Sequence, residues 1–314
     1  MKKRICLIGA NSLLGSKILE KNKIFDIQST MHNIANDKRI KEIIKLDITN
    51  KENCAIILKL KPDIIINTAA ITDVDFCEKN QDLAENVNVK GVENLAEISK
   101  QIGCKMIHIS TDGIFQGKDE KYVEDDTPNP INYYGKTKLE SEKIISKLDD
   151  FLIFRTSVLY GFLSKKMLET RSKYSKSMNF GLWVLHKLHQ SKNIQIVNDQ
   201  FSNPTLADNL AEIIFESIEK NLIGVYHATD IGCVSRFDFV QKIAKKFNYN
   251  LDLIQEISSS ELNQFAKRSS KICLDCSKIS KKEIKINNLD YSLEKFYQQV
   301  KNEDPSLISK SSNR

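Results

Sequence analysis

The sequence has 314 residues, 41% hydrophobic and 28% charged, which is the usual composition of a globular protein with a core large enough to enclose a ligand. Its net charge of +6 comes from 47 basic and 41 acidic residues that are mixed along the chain, which argues against a nucleic-acid-binding protein. No apolar run is long enough to span a bilayer, and the N-terminal run, residues 5–8, is too short for a signal peptide. We therefore expect a cytoplasmic protein that binds neither nucleic acid nor membrane.

Short apolar runs alternate with helical patterns through the first half of the chain. The predicted strands are 4–8, 26–31, 43–46, 64–67, 105–109 and 151–155. The predicted helices are 16–21, 51–60, 83–101 and 134–147. Strand 64–67 has no polar alternation, as expected for a strand that is buried on both faces of a parallel sheet. This alternation indicates an α/β protein with a doubly wound parallel sheet and right-handed connections.

The second half of the chain differs in character. A polar segment at 161–178 is interpreted as mobile, and it is followed by predicted helices at 180–189, 209–219 and 236–247 and predicted strands at 194–197 and 224–228. We predict a dinucleotide-binding domain over residues 1–157 and a smaller α/β substrate domain over 158–300. Some segments of the second domain are expected to return to the first sheet. The polar residues 303–314 are predicted to be a disordered tail.

The cysteines are seven in number and irregularly spaced. Cys273 and Cys276 form one C-x-x-C, but no second pair completes a zinc site. A redox-active C-x-x-C would usually follow the first strand, whereas this one lies near the C-terminus. We interpret the cysteines as reduced thiols and predict no metal site.

A glycine turn, Gly9-Ala-Asn-Ser-Leu-Leu-Gly15, follows the first strand and leads into a helix. Backbone N–H groups and the helix dipole make such a turn a site for a pyrophosphate. Gly9 permits the tight turn, Gly15 permits close helix–strand packing, and Ser12 replaces the middle glycine of the usual fingerprint. The Ser12 hydroxyl is also a candidate donor to a phosphate. The alternative is a strand–helix turn that binds no ligand.

The adenosine end of the cofactor is expected beside the second and third strands. Asp47 follows the third strand and is a candidate partner for an adenine amino group, and His32 is a candidate contact for the adenosine. Residues 29–33 contain no Asp or Glu that could accept a hydrogen bond from the ribose 2′-hydroxyl of NAD. This absence favours NADPH, with NADH as the alternative.

Tyr134 and Lys138 are four residues apart, so a helix places them on one face. A nearby ammonium would lower the pKa of a phenol, and such a tyrosine can protonate a carbonyl oxygen as hydride arrives at carbon. Tyr133 has Thr137 at the same spacing, so the pairing selects Tyr134. Thr111 ends a central strand, where ligands bind in open α/β sheets.

These residues, taken in order, resemble the extended short-chain dehydrogenase/reductases, and specifically the dTDP-4-dehydrorhamnose reductase family. The resemblance rests on a set of segments across roughly residues 1–280. The segments are Asn67-Thr-Ala-Ala70, Ile71-Thr-Asp-Val-Asp75, Asn86-Val-Asn88, His108-Ile-Ser-Thr-Asp-Gly-Ile-Phe-Gln-Gly117, Tyr122-Val-Glu-Asp-Asp126, Pro130-Ile-Asn132, Tyr134-Gly-Lys-Thr-Lys138, Arg155-Thr-Ser157 and Asp199-Gln-Phe-Ser-Asn-Pro-Thr205.

The resemblance implies a Rossmann-type sheet with a smaller C-terminal substrate domain. It also implies NADPH- or NADH-dependent reduction of the 4-keto group of a nucleotide-linked 6-deoxysugar, in dTDP-rhamnose and polysaccharide biosynthesis. The catalytic residues would be Thr111, Tyr134 and Lys138. The cofactor residues would be Gly9, Asn11, Ser12, Leu13, Leu14, Gly15, His32, Asp47, Ile48, Ala69, Ala70, Tyr134 and Lys138. The substrate residues would be Thr72, Val74, Asn88, Thr111, Asp112 and Arg268.

Departures from the family pattern concentrate in the half that chooses the substrate. Gly113 stands where the family has a tyrosine, Val158 where it often has a tryptophan, and Arg268-Ser269 where it has Arg-Pro. Asn88 is either part of a water or proton relay or a packing residue. Besides its nucleotide-sugar substrate, we expect a homodimer.

Two alternative functions stay open. The first is an NADP-binding regulatory subunit that resembles the methionine adenosyltransferase beta subunit, which segment 274–278 also resembles. The second is a reductase or epimerase of another nucleotide-sugar.

Overall fold

The protein was analysed as a computed structural model, which describes residues 2–33, 43–118, 121–163 and 178–309. Most of the predicted mobile segment 161–178 lies outside the described residues. Within the described ranges no helix is both long and apolar enough to cross a membrane.

A seven-stranded parallel sheet forms the centre of the fold. Its strands are β1 (Arg4–Ile8), β2 (Asp26–Met31), β3 (Ile44–Lys45), β4 (Ile64–Asn67), β5 (Lys105–Thr111), β6 (Phe151–Thr156) and, after four short strands outside the sheet, β11 (Gly224–His227). The order is β11-β6-β5-β4-β1-β2-β3. The chain starts in the middle, runs to one edge and then to the other, which confirms the doubly wound Rossmann-type sheet.

Alternating side chains on each strand serve two different cores. In β1, Ile5 and Leu7 face a core shared with the helices α1 (Leu13–Lys21) and α9 (Ala207–Glu219). Cys6 and Ile8 point the other way. Because both faces are covered, every residue of β4 is buried, as the uninterrupted apolar run predicted.

The opposite face of the sheet is covered by a second set of helices. These are α2 (Lys51–Cys54), α3 (Ile56–Leu60), α6 (Gly91–Ile102) and α7 (Tyr133–Ile145). The predicted helix 51–60 is interrupted at Ala55, where backbone bonds from Ala55 to Glu52 and from Leu58 to Ala55 span three residues instead of four and tighten the turn.

The predicted helix 83–101 is also more complex than its pattern indicated. It consists of α5 (Gln81–Glu85), a π-helical turn (Asn86–Lys90) and α6. Gly103 ends it in the left-handed conformation at φ 73°. The preceding α4 (Val74–Lys79), which begins at the N-cap Asp73, was not predicted.

A second region packs on the carboxyl edge of the sheet. Its core joins α8 (Phe180–His189), α10 (Arg236–Lys246), α12 (Leu289–Glu303) and β8 (Ile194–Val197), which pairs with β13 (Ile254–Ile257). The remaining elements are β7 (Leu159–Tyr160), β9 (Phe201–Ser202), β10 (Thr205–Leu206), β12 (Val234–Ser235) and α11 (Ser277–Ser280). β11 returns to the first sheet beside β6.

The start of the predicted disordered tail is ordered instead. Glu303 is the last residue of α12, and a 3-10 turn follows at Pro305–Leu307. Leu307 is buried in the core of the second region, and its carbonyl accepts a hydrogen bond from the Tyr249 hydroxyl. The apolar anchor Leu307 explains this order within an otherwise polar sequence. Residues 310–314 lie outside the described ranges.

The expectation that all cysteines are free thiols was wrong for one pair. Cys273 forms a disulfide with Cys233, with their Cα atoms 5.6 Å apart, rather than pairing with Cys276. The two residues are 40 positions apart in sequence, so spacing gave no sign of the contact. Cys276 remains a thiol, hydrogen-bonded to Thr229.

Candidate active site

A cavity of about 400 Å³ opens where the carboxyl ends of the sheet strands meet the second region. The first sheet contributes the turn after β1 and the ends of β4, β5 and β6. The second region contributes residues before and within α8, at β9 and at the start of α10. The cavity brings together these predicted site residues: Ser12, Leu13, Leu14, Ala69, Ala70, Thr72, Val74, Thr111, Asp112, Tyr134, Lys138 and Arg268.

The turn after β1 has the geometry that its glycines suggested. Gly9 adopts φ 80°, and a Cβ there would lie 3.0 Å from the backbone nitrogen of Ala69. A Cβ on Gly15 would lie 2.4 Å from the carbonyl oxygen of Gly9. Both positions therefore require glycine so that the helix can pack against the turn.

The Ser12 hydroxyl has partners within the protein. As the N-cap of α1 it accepts a hydrogen bond from the Gly15 N–H at 2.9 Å, and it lies 2.9 Å from the Thr68 hydroxyl. These contacts hold it at the rim of the cavity, which it lines. Its contribution is to fix the first turn of the helix.

The turn nevertheless fits a dinucleotide. The backbone N–H groups of Leu13 and Leu14 have no acceptor in the described part of the chain, and both residues line the cavity. Such donors at a helix N-terminus suit a pyrophosphate. Further along the cavity, the hydroxyls of Ser110 and Thr156 are buried and have no partner among the described residues. A polar ligand would satisfy them.

The predicted adenosine contacts lie beyond this cavity. His32 is half exposed at the end of β2, with its Nε2 3.5 Å from a carboxylate oxygen of Asp47. Hydrogen bonds from Thr49 to Asp47 lower the pKa of that carboxyl, although burial opposes the shift. The other predicted cofactor residues that do not line the cavity are Gly9, Asn11, Gly15 and Ile48.

Thr111 and Tyr134 meet at the centre of the cavity. Both side chains line it, and the Thr111 hydroxyl is close enough to Tyr134 to lower the pKa of the phenol against the effect of burial. The Thr111 hydroxyl also donates to Asp112 at 3.0 Å and accepts from the Gly113 N–H at 3.1 Å. Tyr133 points elsewhere, with its hydroxyl donating to Glu85 at 3.3 Å. The structure therefore places Tyr134, and not its neighbour, in the cavity beside Thr111.

Helix α7 approaches the end of β5 unusually closely. Its N-cap Asn132 accepts a hydrogen bond from the Gly135 N–H at 2.9 Å. A Cβ on Gly135 would lie 2.2 Å from the carbonyl oxygen of Gly113, so only glycine allows this approach. The close contact holds Tyr134 against Thr111.

Lys138 is buried and does not act on Tyr134 as the sequence suggested. Its ammonium donates to the carbonyl of Ile109 at 2.7 Å and lies 2.9 Å from His108 Nε2. Burial lowers the pKa of Lys138 to about 8, against the attraction of Glu142. Burial also raises the pKa of Tyr134, and the nearby Thr111 hydroxyl offsets only part of that rise. The expectation that Lys138 would lower the pKa of Tyr134 was therefore wrong.

His108 is the neighbour that holds the Lys138 side chain. It is buried on β5, and its Nε2 also lies 3.0 Å from the Ser141 hydroxyl, while Asn67 lies 3.4 Å from its Nδ1. Burial, and then the charge of Lys138, lowers the pKa of His108 well below its usual value. The imidazole is therefore neutral.

Asn88 is a structural clamp rather than a substrate contact. Its side-chain oxygen accepts from the Ile71 N–H at 2.8 Å, and its amide donates to the Ile71 carbonyl at 3.0 Å and to Thr137 at 3.1 Å. It is fully buried in the π-helical turn and does not line the cavity. Of the two interpretations, packing is correct. The clamp fixes the backbone that precedes Thr72.

The substrate end of the cavity contains residues that the sequence analysis missed. They are Met178, Asn179, Phe180, Gln200, Phe201, Ser202 and Arg236. The segment 199–205 was noted for its resemblance, but no role was given to its members. Arg236 was only the first residue of a predicted helix. An arginine directly after the N-cap Ser235 was the available signal, because the first residues of a helix often face a ligand.

A parallel sheet with a glycine turn after β1 and a Thr–Tyr–Lys group at its carboxyl edge defines a protein of the short-chain dehydrogenase/reductase type. The sequence model described as "RmlD substrate binding domain" matches residues 2–302. The chain therefore belongs to the RmlD family, which is the family of the dTDP-4-dehydrorhamnose reductases.

Individual relatives agree with this assignment. The dTDP-4-dehydrorhamnose reductase of Aggregatibacter actinomycetemcomitans is 31% identical over 293 residues, which cover 88% of this chain and 92% of that protein. The crystal structure of the Bacillus anthracis str. Ames dTDP-4-dehydrorhamnose reductase in complex with NADP is similar with a TM-score of 0.82 and 31% identity, covering 95% of this chain and 100% of that one. The methionine adenosyltransferase 2 subunit beta of Xenopus tropicalis is 29% identical over 233 residues, covering 72% of this chain and 67% of that protein.

Proposed function

We propose that the protein reduces the 4-keto group of a nucleotide-linked 6-deoxysugar with NADPH. The observation that carries this proposal is the convergence of Thr111, Tyr134 and Lys138 in one cavity with the glycine turn after β1. Family membership and the NADP complex of a relative support the cofactor and the reaction class. The regulatory-subunit alternative and the epimerase alternative are not favoured, because the relatives that cover most of the chain are named as dTDP-4-dehydrorhamnose reductases.

The roles of the residues follow from their positions. The turn from Ser12 to Gly15 would hold the pyrophosphate, and Lys138 would hold the nicotinamide ribose. NADPH, when bound, supplies a hydride to the carbonyl carbon. Tyr134 donates its hydroxyl proton to the carbonyl oxygen, and the Thr111 hydroxyl, which donates to Asp112 in the structure, would turn to donate to the same oxygen. Because the pKa of Tyr134 is raised, the phenol carries its proton at any ordinary working pH.

Several further features belong to this proposal. Thr72 and Val74 would contact the sugar, and Arg268 the nucleotide part, since all three line the substrate end of the cavity. His32, Asp47 and Ile48 would lie beside the adenosine. We also propose a cytoplasmic homodimer with a dinucleotide domain at 1–157 and a substrate domain at 158–300.

The direct test is NADPH oxidation, followed at the nicotinamide absorbance, with dTDP-4-keto-6-deoxy-sugar as the substrate. We expect turnover that needs the keto-sugar and is slower with NADH. The product should be the corresponding 4-hydroxy sugar, identified by mass and NMR. Tight NADPH binding with no turnover on dTDP-, UDP- or GDP-linked keto-sugars would contradict the proposal.

The pH dependence of turnover should follow Lys138. Its charged form is the one that can hold the ribose, and its pKa lies at about 8. Turnover is therefore expected to be constant below that pH and to fall as the pH rises through about 8. A pH profile of kcat/KM for NADPH measures this, because kcat/KM reports the pKa values of the free enzyme. A flat profile up to pH ~10, where an unperturbed lysine would titrate, would contradict it.

Unfolding does not account for this loss of turnover. The folded state lowers the pKa of Lys138, so the unfolded chain binds more protons than the folded protein between about pH 8 and the usual lysine value. Stability contributed by this group therefore rises with pH across that window. Thermal unfolding measured at each pH separates the two effects.

A further inference from the structure

Arg236 presents a cation to the substrate end of the cavity. It is the first residue of α10, and its backbone N–H donates to the Gln200 carbonyl at 3.0 Å. Its guanidinium carbon lies 5.0 Å from the ring centroid of Phe180, which also lines the cavity. The ring supports one face of the guanidinium and leaves the edges with their N–H donors directed away from it.

The charge of Arg236 is not neutralised within the protein. No carboxylate lies within ion-pair distance of it in the described ranges, and Asp112 attracts it only from farther away. Partial burial lowers the pKa of Arg236, because its guanidinium has lost some of its contact with water. An anionic ligand would neutralise its charge.

The second arginine of the cavity differs in this respect. The guanidinium of Arg268 lies 3.1 Å from a carboxylate oxygen of Asp75 and donates to the Ala266 carbonyl at 2.7 Å. Its charge is therefore already paired. The two arginines also repel each other. The uncompensated positive charge of this region thus belongs to Arg236, although the sequence analysis had placed Arg268, and not Arg236, among the substrate residues.

We propose that Arg236 is the primary ligand of a substrate oxyanion beside the reacting sugar. Arg236 lies over the ring of Phe180 and is attracted by Asp112, which follows Thr111 in the chain. It is therefore near the Thr111 end of the cavity rather than at the adenosine end. Two N–H groups on one edge of the guanidinium suit a phosphate or a carboxylate bidentately. The oxyanion is the diphosphate of the nucleotide-sugar, because a 6-deoxysugar has a methyl group at C6 and no carboxylate there. This inference rests on the proposed nucleotide-sugar function.

Binding, rather than turnover, provides the test. Dissociation constants are measured by calorimetry for wild type, Arg236→Gln and Arg236→Lys with UDP-glucose, UDP-glucuronate and dTDP-glucose. Losing a charge-assisted bidentate contact is expected to weaken binding by about 10- to 100-fold in Arg236→Gln. Arg236→Lys keeps the charge but loses the planar guanidinium, so its dissociation constants should lie between those of wild type and Arg236→Gln. Lys245→Gln removes one exposed charge from the same helix and should change nothing.

The pattern of loss identifies the source of the oxyanion. An equal loss for UDP-glucose and UDP-glucuronate assigns Arg236 to the diphosphate, whereas a loss confined to UDP-glucuronate, whose sugar carries a carboxylate, would overturn that assignment. NADPH affinity of the variants should equal that of wild type, which shows that they are folded. If wild type binds the probes and Arg236→Gln binds them equally well, this inference is overturned while the proposed function stands. If wild type binds none of the three probes, the proposed nucleotide-sugar function is contradicted, and the role of Arg236 that rests on it is contradicted as well.

Discussion

Tyr134→Phe is expected to lower turnover by about 10²- to 10⁴-fold, the usual contribution of a positioned general acid. The substitution removes only the hydroxyl that lies beside Thr111 in the cavity. The ring and its packing against the cavity wall stay, and Lys138 keeps its bonds to Ile109 and His108. NADPH affinity should therefore remain within about threefold of wild type, since less than about 1 kcal/mol of binding is at stake. Turnover by nicotinamide absorbance and affinity by fluorescence titration measure both quantities.

Tyr133→Phe is a matched control for this variant. It removes the same atom from the adjacent residue of α7, where the hydroxyl donates to Glu85 outside the cavity. We expect near-normal turnover. Loss of activity in both variants would show that the helix, rather than the Tyr134 hydroxyl, had been disturbed. Near-normal turnover in Tyr134→Phe would remove this residue from the mechanism.

The sheet could be predicted well because each strand carries its own signal. The bounds of β1, β2 and β4 agree with the sequence prediction, since short apolar runs between helical patterns leave few alternatives. The bounds of the helices were less certain. α12 was missed although Leu289, Leu293, Phe296 and Val300 are buried at helical spacing, because the charged and polar residues of its exposed face separate these apolar positions in the sequence.

The convergence of Thr111, Tyr134 and Lys138 in one cavity could be predicted, but their electrostatics could not. The four-residue spacing of Tyr134 and Lys138 is a local property of one helix. Whether the Lys138 ammonium reaches the Tyr134 phenol depends on the groups that β5 places beside it. There the ammonium lies against His108 and donates to the Ile109 carbonyl. Such a contact joins residues 30 positions apart, and no pattern in the sequence encodes it.

The same limit applies to the substrate end of the cavity. Arg236 and Arg268 are both arginines in polar surroundings, and only the second was assigned a role from the sequence. What distinguishes them is that Asp75, which lies far earlier in the chain, neutralises the charge of Arg268. The paired or unpaired state of a charge is a property of the folded chain, so this distinction emerges only from the structure.

Lys138→Met is expected to reduce both turnover and NADPH affinity, and so to differ from Tyr134→Phe. Turnover should fall by about 10²- to 10⁴-fold, because a proton donor that is no longer aligned with the cofactor loses most of its effect. NADPH binding should weaken by about 10- to 100-fold through loss of a charged hydrogen bond to the ribose. The fall in turnover as the pH rises through about 8 should disappear from whatever activity remains. Turnover, fluorescence titration and the pH profile measure these three effects.

We expect Lys138→Met to fold, because the substitution has two opposing effects on the free energy of unfolding. The Ile109 carbonyl and His108 lose their partner, at a cost of about 1–3 kcal/mol, but a desolvated ammonium is removed at the same time. Lys136→Met changes an exposed lysine on the same helix and should leave all readouts at wild-type values. A Lys138→Met variant with wild-type NADPH affinity but no turnover would confine Lys138 to the proton transfer. Loss of both, beside a Tyr134→Phe variant that loses only turnover, would separate the residue that positions the cofactor from the one that donates the proton.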